Sequence, residues 1–227
     1  MVIDDGWHSL SLELSEGWVC EFRGSQLDNW GFVLLDLNPG ERTLPLGYDG
    51  LEALETWLQW IGAVKPEAAV GEERKVMVSI NTVSNLKVDA CEDQRSSNPP
   101  VGPTVDDLAY ALAELSPFQV TEPPTEVTIY GYSGKHLELT IPDDIPFEIR
   151  PGGGYFTDCQ GGGLQTWLAP GLSSVFYGYS GPGQIEEFWI LDVNGTRLTI
   201  QATWFPDSPP QDMAEMRAIL DSLRIEP

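Results

Sequence analysis

The residues best suited to chemistry include the stretch DVNGT at positions 192–196. An aspartate, an asparagine and a glycine this close together suggest a cation site. A helix–loop–helix calcium loop needs glycine sixth and glutamate twelfth, but here the glycine is fourth and the twelfth residue is Thr203. The flanking FWILDV and TRLTIQATWF are strand-like, and Asn-Gly is the strongest short hairpin signal. The stretch therefore predicts a turn and no metal site.

Candidates for acid–base or nucleophilic catalysis are few. His8 and His136 are the two histidines, and His136 alternates with leucines in a predicted strand. Ser133 and Ser180 lie in GYSG but lack the second glycine of a nucleophile elbow. The glycine-rich RPGGGYF and CQGGGL lack the lysine of a phosphate-binding loop. The sequence predicts no catalytic residue and no cofactor.

Acidic residues near the glycine-rich segment leave a catalytic alternative open. Asp143 and Asp144 are adjacent in IPDDI, so in an extended chain their side chains point to opposite faces, which favours a solvated turn. The alternative is a hydrolase in which Asp143, Asp144 or Asp158 share a cleft, or one of them meets His136.

Aromatic residues gather between positions 143 and 184, among many glycines. Flat aromatic faces with little charge are suited to a protein, peptide or glycan partner. The predicted binding residues are Tyr155, Trp167, Tyr177 and Tyr179. The alternative is that these rings only cover the sheet beneath them.

Composition limits the class of protein. The chain has 227 residues, 41% of them hydrophobic, and a formal net charge of −23. Such a charge opposes binding to phosphate backbones, so we expect no nucleic-acid partner. No apolar run is long enough for a membrane helix, so we expect no direct membrane insertion.

The three cysteines bear on the compartment. Cys91 and Cys159 lie in polar, loop-like settings and have no metal-ligand spacing, whereas Cys20 in GWVCEF has large apolar neighbours. We expect a Cys91–Cys159 disulfide and a buried, free Cys20. The start MVIDDGWHSL has no signal-peptide pattern, which alone would predict a cytoplasmic protein, but a disulfide requires an oxidising compartment.

Hydrophobic periodicity predicts the elements. The sequence predicts strands in HSLSLELSEGW, at 29–37, and in VMVSINTVSNLKV. It predicts helices over DGLEALETWLQWIG, over PTVDDLAYALAEL with Thr104 as cap, and after PDSPPQ with Ser208 as cap. The sequence also predicts two hairpins, one over TEVTIYGYSGKHLELTIP and one around the turn at Asn194-Gly195. These elements predict a single α+β domain over residues 1–227, an antiparallel β-sheet flanked by helices.

A family resemblance rests on DACEDQRSSNPPVGPTVDDLAYALAEL, VTIYGYSGKHLELTIPDDI, a later cysteine, and the segment from GPGQIEEFWILDVNGT to the C-terminal helix. These segments resemble an uncharacterised extracytoplasmic module of actinobacterial proteins, found in sensors, regulators and lipoproteins. The resemblance covers residues 89–226 and only the outline of residues 1–88. It implies the Cys91–Cys159 disulfide, a PsbP-like α/β/α sandwich, and a location outside the cell or in the cell envelope.

The sequence thus favours an extracytoplasmic binding or sensing module without catalysis. Besides the hydrolase, the remaining alternative is a structural spacer, which predicts no concave pocket.

Overall fold

The computed structural model describes residues 76–81, 83–92, 97, 99–150, 153–168, 179 and 181–226. It also describes the strands at 2–4, 9–11, 19–24, 33–35 and 58–65, and for these strands and residues 81, 153, 168 and 226 only the backbone is described. The predictions for Cys20 and Tyr177 concern side chains outside this set.

The described chain contains two α-helices and many strands. The helices are α1 (Val105–Ala113) and α2 (Pro210–Ser222). The strands are β1 (Val2–Asp4), β2 (Ser9–Ser11), β3 (Val19–Gly24), β4 (Val33–Leu35), β5 (Leu58–Lys65), β6 (Val76–Asn81), β7 (Asn85–Leu86), β8 (Gln119–Ile129), β9 (Tyr132–Thr140), β10 (Phe147–Arg150), β11 (Gly153–Phe156), β12 (Trp167–Leu168), β13 (Ile185–Val193), β14 (Thr196–Trp204) and β15 (Arg224–Glu226).

The main sheet has eight antiparallel strands in the order β4-β3-β5-β6-β14-β13-β9-β8. In the smaller sheets β2 pairs with β1 on one side and β15 on the other, β10 pairs with β11, and β12 pairs with β7. The predicted α+β class, an antiparallel sheet with helices, is therefore confirmed. The PsbP-like likeness and the single-domain boundaries stay predictions.

The two helices cover opposite faces of the sheet. Successive residues of a strand point to opposite sides, and in β13 Phe188 and Ile190 join the core under α1, whereas Trp189 and Leu191 join the core under α2. All four are buried. Strand β13 is thus buried on both faces, which explains the nearly continuous apolar run FWIL.

Both predicted hairpin turns are confirmed. Tyr130 and Gly131 connect β8 to β9, and Asn194 and Gly195 connect β13 to β14. All four residues have positive φ, between 53° and 87°. Two successive positive-φ residues match the twist of the flanking strands, which is why Asn-Gly predicts this turn.

Helix α1 begins as predicted. The Asp107 amide donates to Thr104 Oγ1 at 3.1 Å, and the Thr104 amide donates to Asp107 Oδ2 at 2.9 Å, forming a capping box. The bonds from Thr104 hold the pKa of Asp107 below its ordinary value.

Two predictions about helices are wrong. Leu58–Gly62, expected in a helix, lie in β5 between β3 and β6. The leucine spacing fits a helix, but pairing on both sides with extended neighbours determines the outcome. Ser208 does not cap α2: its Oγ accepts from the Phe205 amide at 2.9 Å, and the helix follows Pro209.

The edge strand β8 carries Pro123 and Pro124 at its centre. Its pairing with β9 shifts register between Val120 and Thr125. The strand is mostly exposed, as expected for the edge of a sheet.

Candidate functional site

The predicted disulfide is confirmed: Cys91 and Cys159 are bonded, their Cα atoms are 4.3 Å apart, and the two residues are 68 positions apart in sequence. The Gln160 amide donates to the carbonyl oxygen of Cys91 at 2.8 Å, so backbone bonding continues beside the bridge. The disulfide fastens the glycine-rich segment to the chain that follows β7.

An open groove of about 340 Å³ is lined by residues that precede and follow Cys91 in sequence and by residues at the end of α1. One wall is the chain leaving β7, and the other is the C-terminal part of α1. The lining residues are Leu86, Lys87, Val88, Ser97, Pro99, Ala111, Glu114 and Leu115. The volume falls within the range of small-ligand sites.

The groove is chemically mixed. Leu86 and Leu115 are buried, and Val88 is exposed. Lys87 and Glu114 add one cation and one anion. A ligand or partner side chain with both apolar and polar groups matches this lining.

Two predicted binding residues lie in the core. Trp167 is 2% exposed, and its ring meets that of Phe188 edge-on at 6.1 Å. Tyr179 is 7% exposed, donates its hydroxyl to Thr166 Oγ1 at 2.9 Å, and packs against Phe118. Neither ring offers a face to a ligand, which favours the alternative that they cover the sheet. Trp167 pairs with Leu86, so it lies beside a residue that lines the groove.

Tyr155 is half-buried, and its ring is in contact with Arg150 and Gly162. The Arg150 guanidinium lies 3.7 Å above one face. Gly162 meets the ring so closely that an added Cβ would lie 1.9 Å from it, so only glycine fits there.

The three carboxylates of the catalytic alternative are all exposed: Asp143, Asp144 and Asp158. Among the described residues, no hydrogen bond or ion pair joins one of them to another or to His136. The structure therefore does not assemble the acid–base group that the hydrolase alternative requires.

His136 instead joins a polar cluster beside α2. Its Nε2 lies 2.9 Å from Glu187 Oε1, and its Nδ1 lies 3.7 Å from Glu122 Oε2. Arg217 Nη1 reaches Glu187 Oε2 at 2.6 Å as an ion pair without hydrogen-bond alignment. The hydrogen bond to Glu187 raises the pKa of His136. With a carboxylate at each ring nitrogen, His136 is placed as an ion-pair partner rather than as a base for a substrate.

Sequence reasoning missed Glu186, a fully buried carboxyl group on the α1 face. Gln184 Nε2 donates to its Oε1 at 2.5 Å, Thr203 Oγ1 donates to its Oε2 at 2.9 Å, and Gln201 Nε2 also donates to Oε2. Burial raises the pKa of Glu186 to about 8 despite these bonds. The sequence does carry one indication that Glu186 is buried: residues alternate between the two faces of a strand, so Glu186 lies on the same face as Phe188.

Neither a metal-binding group nor a membrane-spanning helix is present in the part of the chain that the structure describes. It contains no group of three or more His, Cys, Asp or Glu side chains arranged to hold a metal ion. None of its helices has the length and apolar character needed to cross a membrane.

Comparison with known proteins adds little. No protein-family model and no curated protein matches the chain. One similar solved structure is that of LpqN, described as involved in cell envelope biogenesis of Mycobacterium tuberculosis. The identity is 14%, the alignment covers 97% of this chain and 84% of that chain, and the TM-score is 0.38. A likeness of this degree carries no argument about function.

Proposed function

We propose that this protein is an extracytoplasmic binding or sensing module without catalytic activity, and that its partner is a protein, a peptide or a glycan. The observation that carries the proposal is that the chain holds the Cys91–Cys159 disulfide and an open groove lined by residues before and after Cys91 in sequence. Disulfides persist mainly in oxidising compartments, which supports a location outside the cell or in the cell envelope.

The groove between α1 and the chain after β7 is the proposed binding site. A structural spacer needs no concave surface, whereas a binding module does, so the groove favours binding. In this proposal Trp167, the strand neighbour of Leu86, and Tyr179 support the wall and touch no ligand.

Filling the groove tests the binding site. Ala111, on the α1 wall, is replaced with Trp, and the labelled variant and wild type are applied to peptide and glycan arrays. The matched control is Ala218→Trp at an exposed position of α2. We expect Ala111→Trp to lose the array signals that the wild type and Ala218→Trp share. Equal signals from all three proteins would exclude the groove as the binding site.

Thiol titration tests the compartment. The chain has three cysteines, and two of them form the disulfide. Protein taken unreduced from its native host and denatured should show a single reactive thiol. Three reactive thiols would contradict the proposed location.

A further inference from the structure

The turn between β13 and β14 is an open, chemically reactive position. Asn194 and Gly195 are both exposed. No atom lies within 4 Å of the place where a Cβ of Gly195 would stand. Asn194 is the single asparagine in the sequence that precedes a glycine. No side chain of the next residue therefore crowds an approach of the Gly195 backbone nitrogen to the side-chain amide of Asn194.

We propose that Asn194 is a site of spontaneous deamidation, with water as the co-reactant. The Gly195 nitrogen attacks Cγ of Asn194, the bond from Cγ to Nδ2 breaks, and ammonia leaves with the proton from the Gly195 amide. Water then opens the resulting cyclic imide at either carbonyl. The products are aspartate or isoaspartate at position 194.

Asp192 restrains this reaction. The Gly195 amide donates to Asp192 Oδ1 at 2.6 Å, so the attacking nitrogen is already held. The attack requires that nitrogen to lose its proton, and an adjacent carboxylate opposes the formation of a second negative charge. The same turn thus contains the reactive pair and the group that slows it.

The modification alters the main sheet. Val193 and Thr196 close the ladder on either side of the turn. Isoaspartate routes the backbone through the former side chain, and this longer path cannot keep the two-residue geometry. The next residue, Arg197, bonds to the carbonyl oxygens of Gly102 and Val83, so the disturbance reaches the start of α1.

Ageing the whole protein in mildly alkaline buffer tests the proposal. Peptide mapping by mass spectrometry follows the amide-to-acid mass gain at position 194, and an isoaspartate assay identifies the second product. We expect both products at Asn194 in the folded protein, more slowly than in urea-denatured protein. The other asparagines precede Trp, Pro, Thr or Leu and serve as internal controls.

Two variants separate the charge of Asp192 from its hydrogen bond. Asp192→Asn keeps an acceptor without the charge, and Asp192→Ala removes both. We expect a several-fold faster conversion in each and the larger increase in Asp192→Ala, with thermal melts confirming the fold. An intact amide at position 194 in all folded samples, while the denatured chain converts, would overturn the site. Unchanged rates in both variants would overturn the restraint by Asp192.

Discussion

Arg197 Nη2 donates a hydrogen bond of 2.8 Å to the carbonyl oxygen of Val83, 114 positions earlier in sequence. Its Nη1 donates to the carbonyl oxygens of Gly102 and Thr104 at 2.6 and 3.0 Å. One side chain of β14 therefore fixes both the chain leaving β6 and the start of α1. Partial burial lowers the pKa of Arg197 but leaves it a cation.

We expect Arg197→Ala to lower the free energy of unfolding by about 2–3 kcal/mol, because three carbonyl groups lose a charged donor. Urea titration measures the change. Arg150→Ala is the control: it removes an exposed pair with Glu148 and the contact with the Tyr155 ring, and should cost clearly less stability than Arg197→Ala. A loss of stability no larger than that of the control would contradict the stabilising role of the three Arg197 hydrogen bonds.

Trp167→Ala should remove about 3–5 kcal/mol of stability, because it empties a buried site packed against Phe188. Thermal melting and urea titration measure the loss. Tyr179→Phe is the milder comparison and should cost about 1 kcal/mol for its bond to Thr166. A stable Trp167→Ala variant with abolished binding would instead place the tryptophan in contact with a ligand.

Reducing the disulfide should lower stability by about 4 kcal/mol in the chain-entropy view, given its separation of 68 residues. Melting with and without reductant checks this, and the Cys91→Ser, Cys159→Ser double variant separates bridge loss from reductant effects. Identical melts of the oxidised protein and the double variant would show that the bridge does not contribute to stability.

Glu186 predicts a pH dependence. Below about pH 4.5, the ordinary pKa, both folded and unfolded states hold the proton, and between that value and about pH 8 only the folded state does. Stability is therefore full at acid pH and falls as the pH rises through about 8, by on the order of 5 kcal/mol at most. Glu186→Gln should flatten the curve of melting temperature against pH, whereas Glu148→Gln at an exposed site should not. A curve with the same slope in Glu186→Gln would assign the effect elsewhere.

His136 predicts a second dependence of the same sign. Its pKa is raised above the ordinary 6.5, so the stability from its ion pairs is full below that pH and is lost as the pH rises through the raised pKa. NMR titration of the ring measures the shift. In Glu187→Gln the pKa of His136 should fall, because the group that raises it most is gone. An unchanged ring titration would rule out Glu187 as the cause.

The elements that were predictable have strong local signals. The hairpin turns follow from Asn194-Gly195 and Gly131, and α1 follows from Thr104 and the leucines after it, because turn and cap chemistry act within a few residues. Strand β5 was not predictable, since its state depends on pairing with β3 and β6.

The candidate site was harder to predict than the fold. The Cys91–Cys159 pairing followed from the polar settings of the two cysteines. The groove depends on how α1 lies against the chain after β7, which no local pattern encodes. Glu186 is a charged residue, a type usually found at the surface, and Trp167 lies in a glycine-rich segment without a periodic hydrophobic pattern. Long-range packing nevertheless buries both side chains.

The two prolines in β8 have a consequence for crowded surroundings. Proline lacks the N–H that an incoming strand would use, and two in succession interrupt the outer side of this edge. On either side of Pro123 and Pro124, only short stretches of β8 are available to pair with a strand of a neighbouring chain. At this edge the sheet therefore resists pairing with strands of neighbouring chains and growing into a fibre.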